Sequence, residues 1–153
     1  MRPWAIGLSL LLRSSAGDTL GRTLARLRLS RSDEDAVRDG VDALRRLPRS
    51  LAGGRRMPAS RIHRACSAHG SEALLAVAAA TASPPVRRAV LRHLDSLREV
   101  RAELSGTDLL REGIAPGPAV ARGLRAALEA RLDGRARSRR AELRVALTAA
   151  RRS

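Results

Sequence analysis

The near absence of aromatic residues is the feature that most limits the folds open to this chain of 153 residues. Trp4 is the one aromatic residue, and the sequence contains neither Phe nor Tyr. A core must therefore be built from Leu, Ala and Val, and a chain of this length can bury about 68–70% of its unfolded surface. Leu and Ala are strong helix formers, whereas strands prefer the aromatic and β-branched residues that are scarce here. We therefore expect an all-α fold, an irregular bundle of about eight or nine short antiparallel helices.

The charge of the chain is strongly positive. Its formal net charge is +15, from 30 basic and 15 acidic residues, and every basic residue is Arg. GC-rich codon usage explains the choice of Arg over Lys, but it does not explain the excess of basic residues. Such an excess predicts a polyanionic partner, most simply nucleic acid. Because grip on single-stranded bases usually relies on stacked aromatic rings, the sequence favours the backbone and shape of a structured RNA, such as tRNA.

The N-terminal segment and the cysteine content bear on the location of the protein. The single Cys66 excludes an internal disulfide and suits a reducing compartment, so we expect a cytoplasmic protein. The apolar run Trp4–Leu12 resembles a short signal peptide, but Arg13 closes it, RSSAGD is a poor cleavage site, and the run is too short to span a bilayer. We interpret it as a buried helix without a membrane partner. Because this helix is apolar nearly all round, it would need packing partners on every side. Its place at the start of the chain therefore suggests a truncated or split protein.

Several helix boundaries follow from local signals. Leucines at helical spacing predict a helix over Thr19–Leu29. Ser32 with Asp35 resembles a capping box that opens a third helix, which Pro48 should end. The sixth helix, about Pro85–Leu104, is expected to be the longest.

One group of residues raises the question of a metal site. His63, Cys66 and His69 are spaced three apart, and soft ligands at such spacing suggest zinc. A structural zinc site needs four ligands, however, and no second Cys or nearby His completes this one. We therefore favour a packed Cys between two surface histidines, and we predict no metal site.

No other group of residues predicts catalysis. Ser14 and Ser15 near Asp18, and Ser71 beside Glu72, lack the G-x-S-x-G elbow of a hydrolase and fit turns and caps instead. The sequence also lacks a P-loop and a G-x-G-x-x-G loop. We expect no catalytic residue and no cofactor in this chain.

The most distinctive stretch is Gly106–Gly134, GTDLLREGIAPGPAVARGLRAALEARLDG. It predicts a short helix, a Pro-Gly-Pro turn and a long amphipathic helix that ends at a glycine. Gly113 suits a left-handed helix end, and Gly117 allows a turn between the two prolines. Leu124, Leu128 and Leu132 are expected to hold the long helix to the bundle.

This stretch, extended to SGTDLLREGIAPGPAVARGLRAALEARLDGRARSRRAEL, resembles the C-terminal region of bacterial tRNA nucleotidyltransferases of the class II, poly(A)-polymerase-like superfamily. Those enzymes add CCA, or A alone, to tRNA. The preceding EALLAVAAATASPPVRRAVLRHLDSLREVR is similar to the segment before it in that family. The matching motif positions are Gly106, Asp108, Leu109, Gly113, Pro116, Gly117, Pro118, Leu124, Leu132, Asp133 and Gly134. Ala121 departs from the family, which often has Gly there.

The resemblance implies a body-like helical region over residues 1–70 and a tail-like region over residues 71–153. The family's catalytic head carries G-S-x-x-D-x-D, a string that does not occur here, and its neck carries E-D-x-x-R, a string that Glu34–Arg38 matches. Mg²⁺ and nucleotide would therefore belong to a missing head. The resemblance implies a part that holds folded tRNA and does not catalyse alone.

Candidate RNA-binding residues lie at the start of the long helix and after its end. The start of a helix presents unpaired amides that bind anions, and arginines follow in both places. The candidates are Gly117, Arg122, Arg125, Arg135, Arg137, Arg139 and Arg140. Two alternatives stay open: the turn serves only to set the angle between two helices, and the arginine run, which continues to Arg144, is a solvated helix face.

Two other hypotheses compete with RNA binding at this stage. The chain is a non-functional gene fragment that folds poorly alone, or it is a helical protein-interaction module that partners a separately encoded nucleotidyltransferase head.

Overall fold

The computed structural model describes residues 2–15, 17–53 and 57–152 of the chain. Within these residues it contains nine α-helices, one short 3₁₀-helix and no strand, so the predicted all-α class is confirmed. The helices are α1 (Pro3–Leu12), α2 (Gly17–Leu27), α3 (Arg31–Ser50), α4 (Ala59–Cys66), α5 (Ser71–Ala80), α6 (Pro84–Asp95), α7 (Gly106–Arg111), α8 (Pro118–Leu132) and α9 (Arg139–Ala150), with the 3₁₀-helix at Leu97–Glu99.

The chain divides into two compact units. The first unit contains residues up to Met57 together with Arg61–Arg98, and the second contains Pro58–Ser60 with the residues from Glu99 onward. This division by contacts differs from the body-like and tail-like regions that the resemblance implies, and that assignment stays a prediction.

The first unit is built around α1, α3 and α5, which contact one another, with α6 packed on α5. Arg2, before α1, donates to the Ser32 hydroxyl at 2.8 Å, and the Arg45 Nε donates to the Arg13 carbonyl at 3.1 Å. The beginnings of α1 and α3 are therefore adjacent, and so are their ends. These two helices run in the same direction, unlike the antiparallel neighbours expected from short turns, because α2 carries the chain back between them.

The prediction that α1 is buried nearly all round is wrong. Ala5 and Ser9 are its buried residues, whereas Trp4 is 44% exposed and Leu11 is 81% exposed. The physical reason is that the described residues of α2, α3 and α5 pack on the side of α1 that contains Ala5 and leave the other side open. Trp4 and Leu11 are seven positions apart, so both lie on the side away from these helices.

The boundaries of α3 differ from the predicted ones. The N-cap is Ser30 and not Ser32: its hydroxyl accepts a hydrogen bond from the Asp33 amide at 3.2 Å. Pro48 does not end the helix, which continues to Ser50. A proline this close to the C-terminus removes one hydrogen bond from the last turns and leaves the preceding helix intact.

The boundaries of α2 and α6 were also misplaced. The second helix is Gly17–Leu27 and not Thr19–Leu29, and it ends where Arg28 adopts a φ of 50°. The sixth helix stops at Asp95, so the longest helix is α3 with 20 residues. At Ser96 the backbone leaves helical geometry, and its hydroxyl donates to the Arg92 carbonyl at 3.0 Å. Such local side-chain bonds compete with helix continuation.

Two histidines of the first unit face each other inside the protein. The ring centroids of His63 and His93 are 5.3 Å apart, and His93 is only 3% exposed. Both Nδ1 atoms are buried and have no hydrogen-bond partner within the described residues. Burial lowers the pKa of His93 below its ordinary value of 6.5, and the nearby His63 and Arg98 lower this pKa further. The folded state therefore favours the neutral form of His93.

We expect the first unit to lose stability as the pH falls below 6.5. Because the folded pKa of His93 is lowered, its contribution is fully present above pH 6.5 and is lost as the pH falls toward the folded pKa. Thermal melting at about pH 7 and pH 5.5 measures this loss, since carboxylates stay ionised over most of that interval. His93→Leu should reduce the loss, whereas an unchanged loss in this variant would contradict the assignment to His93.

The second unit is built around α7, α8 and α9, which contact one another. Its core contains Leu104, Leu109, Ile114 and the small residues Ala127 and Ala146. These small side chains let α8 and α9 approach each other closely.

Candidate nucleic-acid interface

The turn between α7 and α8 is shaped by two glycines with positive φ. Gly113 has a φ of 81°, and its amide donates to the Leu110 carbonyl at 3.0 Å, which closes the end of α7. The prediction of a left-handed helix end at Gly113 is confirmed. Gly117 precedes α8 with a φ of 116° and a ψ of −143°, a conformation that residues with a Cβ rarely adopt. Both glycines are therefore explained by the backbone path.

Asp108 joins the start of α7 to the start of α9. Its side chain accepts from the Ser105 amide at 2.9 Å in a capping box, and its other oxygen accepts from Arg139 Nη2 at 2.6 Å. The hydrogen bonds from Ser105 hold the pKa of Asp108 below its usual value, and the Arg139 guanidinium lowers it further. Arg139, a predicted RNA contact, therefore has a structural partner, although it is exposed.

The contact between α8 and α9 is made by small residues. The buried residues of α8 are Gly123, Ala127 and Ala130, while Leu124, Leu128 and Leu132 are only half-buried. The leucine stripe expected to hold this helix is thus displaced by one position from the face that is most buried. Because Gly123 lies against the carbonyl of Ala146, the two helices pack closely and run antiparallel.

A buried carboxylate of α9 binds an arginine of α8 at this contact. Glu142 on α9 is completely buried, and its Oε1 accepts from Arg131 Nη1 on α8 at 2.6 Å. Its Oε2 accepts from the Glu103 amide at 2.8 Å, and Arg131 also reaches the Glu103 carboxylate at 2.7 Å. The charge of Glu142 is therefore neutralised inside the second unit and is not displayed at the surface.

The end of α8 is held by Asp133 and Gly134. Asp133 accepts from the Ser60 amide at 2.9 Å and from the Ser60 hydroxyl at 2.8 Å. Burial raises the pKa of Asp133, but the hydrogen bonds from Ser60 and from Arg135 outweigh it, so the pKa is lower than usual. Gly134 takes a φ of 71° directly after the helix. These roles explain both residues structurally.

The predicted arginines differ in the interactions that their side chains make within the protein. Arg122 is exposed, but its Nη2 donates to the carbonyls of Ala150 at 3.3 Å and Arg152 at 3.1 Å. Its Nη2 is therefore engaged within the protein, and the expectation that Arg122 contacts phosphate stays a prediction. Its real position was not foreseen because the end of α9 is distant in sequence.

The other candidate arginines are exposed as well. Arg135 Nη2 lies 3.3 Å from the Asp133 carboxylate, and Arg137 Nε donates to the Gly134 carbonyl at 3.3 Å. Arg125 and Arg140 are exposed and make no hydrogen bond or ion pair with the described part of the chain. Arg135 and Arg137 lie between α8 and α9, and Arg139 and Arg140 are the first two residues of α9.

The charge balance of the surface after α8 is one-sided. Residues 134–152 contain seven arginines and one acidic residue, Glu142. All seven arginines are exposed, whereas Glu142 is buried. This segment, which we call the arginine segment, therefore shows only positive side chains to solvent. Sequence reasoning omitted Arg151 and Arg152, although Arg140, Arg144 and Arg151 follow helical spacing.

A groove runs between α8 and α9 on the exposed side of their contact. Its volume is about 410 Å³, and it has three arginines, Arg135, Arg144 and Arg152. The other lining residues are Ala126, Glu129, Val145, Thr148 and Ala149. The groove is open and combines apolar walls with guanidinium groups, which suits the backbone of a polyanion.

His63, Cys66 and His69, the residues considered as zinc ligands, differ in their surroundings. No cluster of three or more His, Cys, Asp or Glu side chains among the described residues has a geometry that holds a metal ion. Burial raises the pKa of Cys66 to about 11, so its thiol stays protonated near neutral pH. His69 is not the surface residue that was expected, since its side chain is 10% exposed and its Nδ1 lies 2.6 Å from the Asp39 carboxylate.

None of the helices in the described residues combines the length and the hydropathy needed to cross a bilayer. Comparisons with known protein families, with curated proteins and with solved structures find no match to this chain. The resemblance to tRNA nucleotidyltransferases therefore rests on the sequence motif alone.

Proposed function

We propose that this chain is a cytoplasmic RNA-binding helical module that holds folded tRNA, or another structured RNA, through contacts to its backbone and shape. The proposal further identifies it as the C-terminal portion of a tRNA nucleotidyltransferase that adds CCA or A. It would not be catalytic alone, because the Mg²⁺ and nucleotide sites of such enzymes lie in the head. The observation that carries the proposal is the arginine segment, which exposes seven arginines and no carboxylate.

Two physical arguments favour RNA backbone over other polyanions. The planar guanidinium group of Arg donates two parallel hydrogen bonds to a phosphate, so an arginine surface suits phosphodiesters better than diffuse negative charge. The one aromatic residue, Trp4, lies in the first unit. The second unit therefore has no aromatic ring on which an RNA base could stack. Shape and backbone contacts are how proteins recognise folded RNA under these conditions.

A salt titration of tRNA binding tests the proposal. The affinity of the full chain for a tRNA transcript should fall steeply between about 50 and 200 mM salt, because each phosphate contact releases condensed counterions. A gel shift or fluorescence anisotropy measurement at several salt concentrations gives the slope of log K against log salt.

The controls separate specific recognition from charge alone. A single-stranded oligonucleotide of the same length as the tRNA should bind more weakly, because it lacks the folded shape and finds no aromatic platform. Equal binding to both RNAs would limit the function to non-specific charge attraction. Absence of binding to tRNA at low salt would refute the proposal.

The exposed side of α1 supports a second candidate, a protein-interaction module that partners a separate nucleotidyltransferase head. Trp4 and Leu11 form an apolar surface there, and such surfaces mark interaction sites when they are contiguous. Co-purification of a nucleotidyltransferase head with the chain, lost in Leu11→Glu, would favour this candidate. RNA binding should be unaffected by the same substitution, since Leu11 lies in the first unit.

A further inference from the structure

We propose that the groove between α8 and α9 is the track along which the RNA backbone lies, with Arg144 and Arg152 as its phosphate-binding residues. This inference rests on the proposed function and adds to it a place and a set of contacts. It also moves the expected contact from the start of α8, where Gly117 and Arg122 lie, to the groove that α8 forms with α9.

The availability of guanidinium groups supports this choice. The side chains of Arg144 and Arg152 are exposed, line the groove and make no hydrogen bond or ion pair within the described residues. Arg122, by contrast, already donates to two carbonyls at the end of α9. An arginine that has no partner can bind phosphate without first breaking an existing interaction.

The same contact gives Arg122 a different role. Because it donates to the carbonyls of Ala150 and Arg152, it holds the backbone at the end of α9 against α8. The hydrogen bond from Arg122 therefore holds the backbone of Arg152 beside the groove. Arg122 is thus a positioning residue, whereas Arg144 lies within α9 and Arg152 lies two residues beyond its end. Because these two arginines lie at different places along the groove, they can bind two phosphates of one strand.

The walls of the groove fit the rest of a nucleotide chain. Ala126, Val145 and Ala149 give an apolar surface on which ribose carbons can pack. The Thr148 hydroxyl donates to the Arg144 carbonyl at 2.9 Å, so its proton is used within the helix. Its oxygen still accepts, which matches a ribose 2′-hydroxyl as donor.

Substitution of Glu129 tests the proposal, because its expected effect on RNA affinity is opposite to that of substituting a groove arginine. Glu129 is the one carboxylate that lines the groove, and it lies on α8, whereas Arg144 lies on α9. A negative side chain beside a bound phosphate opposes binding. Removing this charge should therefore strengthen RNA binding, whereas removing a groove arginine should weaken it.

The experiment compares three single variants of the full chain, Arg144→Gln, Glu129→Gln and Arg26→Gln, with tRNA as the probe. Arg144→Gln should lower the affinity about tenfold and the salt slope by about one, as the loss of one phosphate contact predicts. Glu129→Gln should raise the affinity severalfold. Arg26→Gln is the matched control, because Arg26 is exposed on α2, makes no interaction in the described residues and should change nothing.

The outcomes separate this inference from the proposed function. If the unaltered chain binds tRNA but Arg144→Gln behaves like Arg26→Gln, the groove is wrong and RNA binding stands. If the unaltered chain does not bind tRNA, both proposals fail. If poly-glutamate displaces tRNA at equal charge concentration, the groove binds acidic chains in general, and its assignment to RNA is overturned. A gain in affinity for Glu129→Gln cannot come from misfolding, so it supports the groove directly.

Discussion

Glu142→Ala is expected to destabilise the second unit by about 3–5 kcal/mol, the range observed when one partner of a buried ion pair is removed. Glu142 is completely buried and binds the Arg131 guanidinium at 2.6 Å and the Glu103 amide at 2.8 Å. The substitution leaves the Glu103 amide without its acceptor, leaves Arg131 with the Glu103 carboxylate alone, and opens a cavity between α8 and α9. Each of these effects acts in the same direction.

Urea unfolding followed by circular dichroism measures this loss, and two further variants interpret it. Glu112→Ala is the matched control, because Glu112 is exposed in the same unit and should change the stability by no more than about 0.5 kcal/mol. The double variant Arg131→Met with Glu142→Leu should be more stable than Glu142→Ala, since replacing a whole buried pair by apolar residues is often neutral. A stability of Glu142→Ala equal to that of Glu112→Ala would show that the pair contributes nothing.

The burial of Glu142 also has a consequence for function. In the sequence it looks like the one charge that offsets the arginines around it, whereas in the structure its charge is used up by Arg131 inside the protein. The arginine segment is therefore more positive at its surface than its sequence suggests. A carboxylate in sequence among arginines is thus not evidence of a balanced surface until its burial is known.

The all-α class and the turn geometry of the second unit followed from local chemistry. Leu and Ala predict helices because their side chains lose little conformational freedom there, and Gly113 has the positive φ that its place after a helix predicts. Such features depend on a few neighbouring residues, so a single sequence contains enough information for them. Placement of Ser30 as the N-cap in place of Ser32 was missed because both serines precede acidic residues and compete locally.

The features that were missed depend on residues distant in sequence. Arg122 turns to carbonyls about thirty positions later, and Asp133 accepts from Ser60 in the other direction along the chain. The exposure of Trp4 likewise depends on which helices cover α1 and not on its own sequence. The candidate interface was therefore predicted as a charge pattern, while the division of its arginines into engaged and available ones required the fold.

Gly123→Ala is the prediction that tests the packing under the groove. In a helix interior, replacing Gly by Ala normally stabilises by about 0.5–1 kcal/mol, because Gly loses more backbone freedom on folding. At Gly123, however, a Cβ would lie 2.8 Å from Leu109 Cδ1 and 3.0 Å from the backbone oxygen of Ala146. The leucine can rotate, but the oxygen belongs to α9 and can move only with that helix.

We therefore expect Gly123→Ala to destabilise the second unit by about 1–3 kcal/mol, the usual cost of overpacking. Gly21→Ala is the matched control in α2, where the nearest neighbour of a Cβ is the Arg38 guanidinium at 4.0 Å, and it should stabilise by about 0.5–1 kcal/mol. Thermal melting of both variants checks the opposite signs.

A separation of α8 from α9 would also widen the groove and move Arg144 and Arg152 away from the α8 wall. Gly123→Ala should therefore weaken tRNA binding even at a temperature where the variant is fully folded. Stabilisation of the same size in both glycine variants would show that the close approach of α8 and α9 is not required. Loss of stability at Gly123 without loss of tRNA binding would instead show that the groove's width does not control the interaction.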